Sequence, residues 1–332
     1  MARRKQTKAR TLQPAVMKLN FVASGGTTSY IDISNALSRL NRRFYRQGLN
    51  WAVANVKVTS QAASNPVIGS EVYVSSLPHT WTVANSWMKS YSLWRKQQND
   101  AMAESGSSES IARFRDFKIL MEESQPADEA GVLSPRNVGA GRVAGPYGVG
   151  LKSTDTVDAS EEWLTSQIVI PNDGAPGVTN EYLLMMLGAD TPTQKSMIQG
   201  YVDSRAVPTS PDPTSPGVSG SWMSEMFDVG DDTNAITSNA QYKNDELPYD
   251  QDNYPGGSTN FNQVECQGYS WNMSTVGLNV MNTGPFTAPC GLIRIDLFGQ
   301  NTEGTPEPFN VITVTLVPGK HRGYLAETME EF

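Results

Sequence analysis

Short stretches of alternating apolar and polar residues, separated by Gly- and Pro-rich breaks, recur along most of the chain. Leu49–Thr59 is the clearest. Ala52, Ala54, Val56 and Val58 fall on one face of a strand, with Asn55 and Lys57 on the other. Val16–Val22, Glu71–Ser75, Arg113–Met121, Glu162–Ile170, Glu181–Leu187, Val264–Val280, Gly291–Phe298 and Val311–Val317 read the same way. A helical period replaces this one in three places. Ser34 can cap a helix that Gly48 ends, with Leu37, Leu40 and Phe44 on one side and Arg39, Arg42, Arg43 and Arg46 on another. From Thr80 or Thr82 to about Met102, Trp87, Tyr91 and Trp94 are spaced for a buried face. Lys195–Arg205 suits a short helix.

Between these elements lie long breaks. Residues 131–150 hold six glycines and two prolines and read as a loop. Residues 207–257 form an insertion that is Pro-rich at first and then acidic, with seven acids against Lys243 between 228 and 252. About eight strands joined by long loops predict an all-β fold, a single eight-stranded antiparallel jelly roll with one or two short helices. Residues 1–14 read as a flexible basic arm and 15–332 as one domain.

Charge changes this picture most. Residues 1–60 hold eleven Lys/Arg against a single acid, Asp32, whereas the remainder carries 15 bases against 33 acids. The positive charge sits in two clusters: Arg3, Arg4, Lys5, Lys8 and Arg10, then Arg39, Arg42, Arg43 and Arg46. A basic end on an acidic chain is the footprint of a polyanion partner. Phe44, Tyr45 and Trp51 lie beside the arginines, where they either stack on unpaired bases or belong to the core. No zinc-finger, basic-zipper or RNA-recognition signature occurs, so the contact expected is nonspecific. Cys266 and Cys290 make no disulfide framework, and no apolar run is long enough for a signal peptide or membrane span. A soluble intracellular chain is the expectation.

Catalytic chemistry finds little support. His79 and His321 are the only histidines, which excludes a multi-His metal site and leaves little for a Ser-His or Cys-His arrangement. Glu122/Glu123 and Glu161/Glu162 are adjacent, so on a strand their carboxylates point to opposite faces. The acids of 228–252 have no metal-loop spacing and read as a solvated loop. Neither an enzyme, a cofactor nor a metal is expected.

The run Asn41–Val58, NRRFYRQGLNWAVANVKV, together with Cys290–Leu297, CGLIRIDL, and Val311–Glu327, VITVTLVPGKHRGYLAE, is similar to capsid proteins of small circular single-stranded DNA viruses of the circovirus-like, replication-protein-encoding group. The resemblance implies a jelly-roll subunit that assembles with copies of itself, sixty or a multiple, into an icosahedral virion. It also implies a basic arm directed at the packaged genome and used for import into the host nucleus. Carried over by position, the arm role falls on Arg3, Arg4, Lys5, Lys8 and Arg10, with Arg39, Arg42, Arg43 and Arg46 as inner-surface contacts. The arm is shorter and less arginine-dense than the family's. A coat protein of a small RNA virus and a cellular jelly-roll nucleic-acid-binding module are the alternatives. Without Met1 the N-terminus, ARRKQTKAR, also resembles the core-histone tail opening Ala-Arg-Thr-Lys-Gln-Thr-Ala-Arg, with Arg4 in place of Thr and Lys8 extra. That is either mimicry presenting Lys5 or chance likeness among basic tails.

Overall fold

In the computed structural model the described residues are 15–61, 70–106, 115–127, 132–136, 143–145, 148–150, 163–171, 179–206, 263–272, 278–298 and 309–329. The arm (1–14), the insertion (207–257) with its acidic run, and Glu161/Glu162 lie outside them. The elements in order are β1 (Lys18–Ser24), β2 (Thr28–Asp32), α1 (Ile33–Asn41), β3 (Leu49–Gln61), β4 (Ser70–Ser76), α2 (Trp81–Glu104), β5 (Val143–Gly145), β6 (Gly148–Gly150), β7 (Gln167–Pro171), β8 (Thr179–Met185), β9 (Gln194–Ser196), α3 (Met197–Ala206), β10 (Glu265–Asn272), β11 (Leu278–Asn282), β12 (Phe286–Ala288), β13 (Leu292–Phe298), β14 (Phe309–Leu316), β15 (Pro318–Gly319), β16 (Gly323–Tyr324) and β17 (Ala326–Thr328). The fold is mostly β.

Two antiparallel sheets carry it. One runs β1-β14-β3-β11, with β12 and β17 also pairing with β3, and the other runs β10-β4-β13-β2. One apolar cluster draws on both: Leu19, Phe21, Val56, Val58, Ile312 and Val314 from the first sheet, Ile31, Val72, Val74, Ile293, Ile295 and Leu297 from the second. Each is buried because the two-residue period sends alternate side chains inward, and each such burial is worth roughly 1.5–3 kcal/mol. A second cluster forms on the outside of the β10-β4-β13-β2 sheet, where Tyr30 and Leu292 meet Val83, Trp87 and Trp94 of α2, Phe117 and Ile119, Leu184 of β8, and Met197 and Ile198 of α3.

Several expectations need correction. The face assignment in β3 fails at its first half, where Trp51 and Val53 point inward, not Ala52 and Ala54. The pairing with β14 jumps from Thr315↔Asn55 to Leu316↔Val53, so Ala54 is an extra residue that reverses the phase. Residues 115–121 form no strand but an irregular segment, with Phe117, Ile119, Leu120 and Met121 buried and a single bridge from Leu120 to Met185. Strand β2 was not anticipated. The Gly-rich stretch 131–150 contains the β5–β6 hairpin. Among the described residues three helices fall where a helical period was read, more than the one or two short ones expected of the fold, and α2 is long at 24 residues because it roofs the outer face of the β10-β4-β13-β2 sheet.

Candidate nucleic-acid interface

Helix α1 is capped two residues before the expected Ser34 and stops seven residues before Gly48. Asp32 supplies the cap: its Oδ1 accepts from the Asn35 N–H at 3.1 Å and from the Ser34 hydroxyl at 2.5 Å. The helix closes at Asn41 because Arg42 takes a left-handed conformation, φ 53°, and donates its N–H to the Ser38 carbonyl. The Ser38 hydroxyl then accepts from the Tyr45 N–H at 2.9 Å, turning the chain inward. Tyr45 is buried in an aromatic cluster, with ring centroids 6.0 Å from Trp51 and 5.6 Å from Tyr324. A helix continued to Gly48 would pull Tyr45 out of that cluster, so packing overrides the helical period.

The expected stripe of four guanidiniums along one helix therefore does not form. Arg39 lies on the helix, half-buried, with its guanidinium 3.5 Å from Asn35 Oδ1 and 3.4 Å from the Ser134 hydroxyl. Arg42, Arg43 and Arg46 lie in the loop beyond it, all exposed. The flanking aromatics divide. Tyr45 and Trp51 are core, which removes them as base-stacking platforms, and Phe44 is half-buried against Trp163, with centroids 6.5 Å apart.

What the structure brings together is the loop and the root of the arm. The Val16 N–H donates to Asn41 Oδ1 at 3.1 Å, Asn41 Nδ2 donates to the Tyr324 hydroxyl at 2.8 Å, and that hydroxyl donates to the Val16 carbonyl at 2.7 Å. These three residues close a ring of hydrogen bonds that fixes where the arm leaves the body, directly beside Arg42 and Arg43. Burial pushes the Tyr324 hydroxyl up to about 12, against the favourable charge of nearby Arg43, so it stays a donor at neutral pH.

The same corner holds two cations that pattern reading passed over. Arg322, in the turn between β15 and β16, donates to the Phe44 carbonyl, stands 5.9 Å over the Tyr45 ring, and has φ 51°. Lys320 is exposed in the same turn. The signal was present in the basic run GKHRG at 319–323, set between glycines as a hairpin tip. His321 packs edge-on against Trp51 at 6.1 Å, and burial lowers its pKa, so it is a packing residue.

Behind the loop, Gln47 joins it to the body. Its N–H donates to Asp116 Oδ2 and its side-chain amide to Asp32 Oδ2, both at 3.1 Å, while its Oε1 accepts from the Ile119 N–H at 2.6 Å. Burial raises both carboxyls, Asp116 to about 6, with Lys118 and Arg46 acting in the opposite sense on Asp116. Burial in turn lowers Lys118. Asp32, Gln47, Lys118, Gln125, Trp163 and Thr165 line a polar cavity of about 20 Å³, which fits a single water. Of the acids considered for catalysis, Glu122 is held in an ion pair with Arg294 at 2.9 Å and accepts from the Tyr30 hydroxyl. Among the described residues no cluster of three or more His, Cys, Asp or Glu could hold a metal ion, and no helix is long and apolar enough to cross a membrane.

Chemically, this corner offers exposed guanidiniums and an ammonium on a loop and a hairpin tip. Such a surface neutralises phosphates and releases counterions without reading sequence. No family model, no curated protein and no solved structure matches the chain.

Proposed function

We propose that the chain is the coat subunit of a small virus, which assembles with copies of itself into an icosahedral shell and packages single-stranded DNA by charge. The observation that carries this reading is the convergence of the arm root, Arg42, Arg43, Lys320 and Arg322 at one corner of a β sandwich whose remaining charge is acidic. A polyanion can be gathered there and repelled elsewhere.

The strand order supports the jelly-roll form of the sandwich. Strands β1, β2, β3, β4, β10, β11, β13 and β14, taken as first to eighth, pair first with eighth, second with seventh, third with sixth and fourth with fifth. The pairs fall alternately in the two sheets. A single long hairpin ribbon wrapped around a barrel gives that order, and viral coats are among the folds that use it. With roughly sixty copies and a charge near +10 in the first sixty residues of each, about 600 phosphates would be offset, leaving counterions to balance a longer genome. The arm also serves nuclear entry in this reading.

Replacing Arg42, Arg43 and Arg46 together by Gln, in a chain that keeps its arm, tests the interface. Assembled particles should carry less nucleic acid, with a weaker dependence of retention on salt, and digestion by deoxyribonuclease against ribonuclease identifies the polymer. Particles with unchanged nucleic-acid content would assign the loop a structural role only.

A further inference from the structure

We propose that the outer edge of β10 is a two-fold contact with a second copy of this chain, the two β10 strands pairing antiparallel so that the sheet runs on from one copy into the next. The sandwich closes one of its sides itself. The Leu133 N–H donates to the Tyr30 carbonyl on the edge of β2, and the Arg136 N–H donates to the Asn20 carbonyl on the edge of β1, both at 2.7 Å. Residues 132–136 thus strap both edges on that side. On the opposite side β10 pairs only with β4 among the described residues.

An unpaired strand edge is ordinarily blunted by Lys, Pro or a bulge. The sequence of β10, ECQGYSWN, has no Lys, Arg or Pro, and its bulge lies between Cys266 and Gly268, leaving Gly268–Asn272 in regular register. The face that goes with this edge is aromatic. Register places Trp271, Glu71 and Phe298 in one row across three strands and Tyr269, Tyr73 and Asp296 in the next. Tyr269, Trp271 and Phe298 are 50, 55 and 44 % exposed, and Tyr73 stands 4.7 Å from Tyr269 and 6.1 Å from Phe298. The β2 end of this face is covered within the chain, where Tyr30 and Arg294 meet Glu122; the β10 end is exposed at Tyr269, Trp271 and Phe298.

Charge and area select the occupant. Among the described residues the β10 end holds the carboxylate of Glu71 and no uncommitted cation, Arg294 being paired with Glu122 and Asp296, so a nucleic acid is disfavoured. A join centred on Ser270 sets Tyr269 opposite the partner's Trp271 on one face, the aromatic pairing that stabilises adjoining strands, and keeps the two Glu265 side chains at opposite ends. A strand of this length with two half-exposed rings per copy covers on the order of 1,000 Å² over both copies, the lower bound of a specific interface. Such a contact is weak as an isolated pair and becomes firm when repeated around a closed shell. The proposal deepens the self-assembly reading and rests on it for the number of copies.

The test uses the full chain with Trp271→Lys, alone and with Tyr269→Lys, both at exposed positions. Sedimentation velocity should show that the concentration needed for assembly rises about 30-fold or more, with the thermal midpoint of the monomer unchanged. Hydrogen exchange on the unmodified chain reads the same contact without a substitution: the outward amides of Gly268–Asn272 should exchange at least about tenfold more slowly in assembled than in dissociated protein. Normal shells from the double variant, or equal exchange in the two states, overturn the β10 contact and leave the coat reading standing. A chain that stays monomeric under all conditions overturns both.

Discussion

Arg42 and Asp116 each depart from the conformation or charge state that their residue type ordinarily favours. Arg42 holds a left-handed backbone that glycine adopts without cost. Arg42→Gly should therefore raise stability by about 0.5–1 kcal/mol. The same change should lower affinity for a single-stranded oligonucleotide and reduce the slope of log K against log salt by about 0.7. Denaturant melts and a salt titration check the two halves. A loss of stability would show that the Arg42 side chain is structural. Asp116 has the opposite problem, a carboxyl raised to about 6 by burial against an ordinary value of 3.8. Its folded form binds a proton more tightly than its unfolded form, so its contribution to stability is full below about pH 4 and is lost as pH rises through 6. Asp116→Asn, which keeps an acceptor for the Gln47 N–H, should raise stability at pH 7 by on the order of 2 kcal/mol and flatten the pH profile between 4 and 6.5. An unaltered profile would contradict the burial. Neither residue's environment was legible in sequence. The arginine's conformation is imposed by Tyr45 seeking the core, and the aspartate is buried by a segment sixty-nine positions from its partner Gln47.

Elements were legible where one period governs a whole segment. Trp87 and Trp94 give α2, which buries both and ends where Gly106 takes φ 65°. The run Gly291–Phe298 gives β13 for the same reason. Elements failed where tertiary contacts interrupt the period. One extra residue at Ala54 reverses the faces of β3, and a buried segment at 115–121 bridges β8 only at Leu120 and forms no strand. The basic loop meets α2 closely at Gly48. A Cβ on Gly48 would lie 2.2 Å from Trp87 Cζ2, and Trp87 is a rigid ring only 5 % exposed. Gly48→Ala should therefore cost about 1–3 kcal/mol and disturb the loop that carries Arg42, Arg43 and Arg46. Chemical denaturation gives the cost, and near-ultraviolet circular dichroism reads the Trp87 environment. A neutral effect would mean that α2 is free to shift.

At the scale of the molecule, the charge division between the first sixty residues and the remainder was plain from composition, because charge needs no fold to be counted. That the root of the arm meets the loop of Arg42 and Arg43 was not, since the ring of Val16, Asn41 and Tyr324 closes over some three hundred positions. Ahead of β1 the root of the arm is held at Val16, whose N–H donates to Asn41 Oδ1 and whose carbonyl accepts from the Tyr324 hydroxyl. Deleting residues 1–12 should leave the thermal midpoint and the capacity to assemble unchanged while lowering packaged nucleic acid, and a deletion that unfolds the body would place the domain boundary elsewhere. Self-assembly around a polyanion underlies the whole proposed function. Negative-stain electron microscopy of the purified full chain, with the ratio of absorbance at 260 and 280 nm for any large species, tests it most directly (roughly sixty copies with bound phosphate is the state expected). Closed, uniform shells with a raised ratio are the predicted result, and a clean monomer across salt and pH would contradict it.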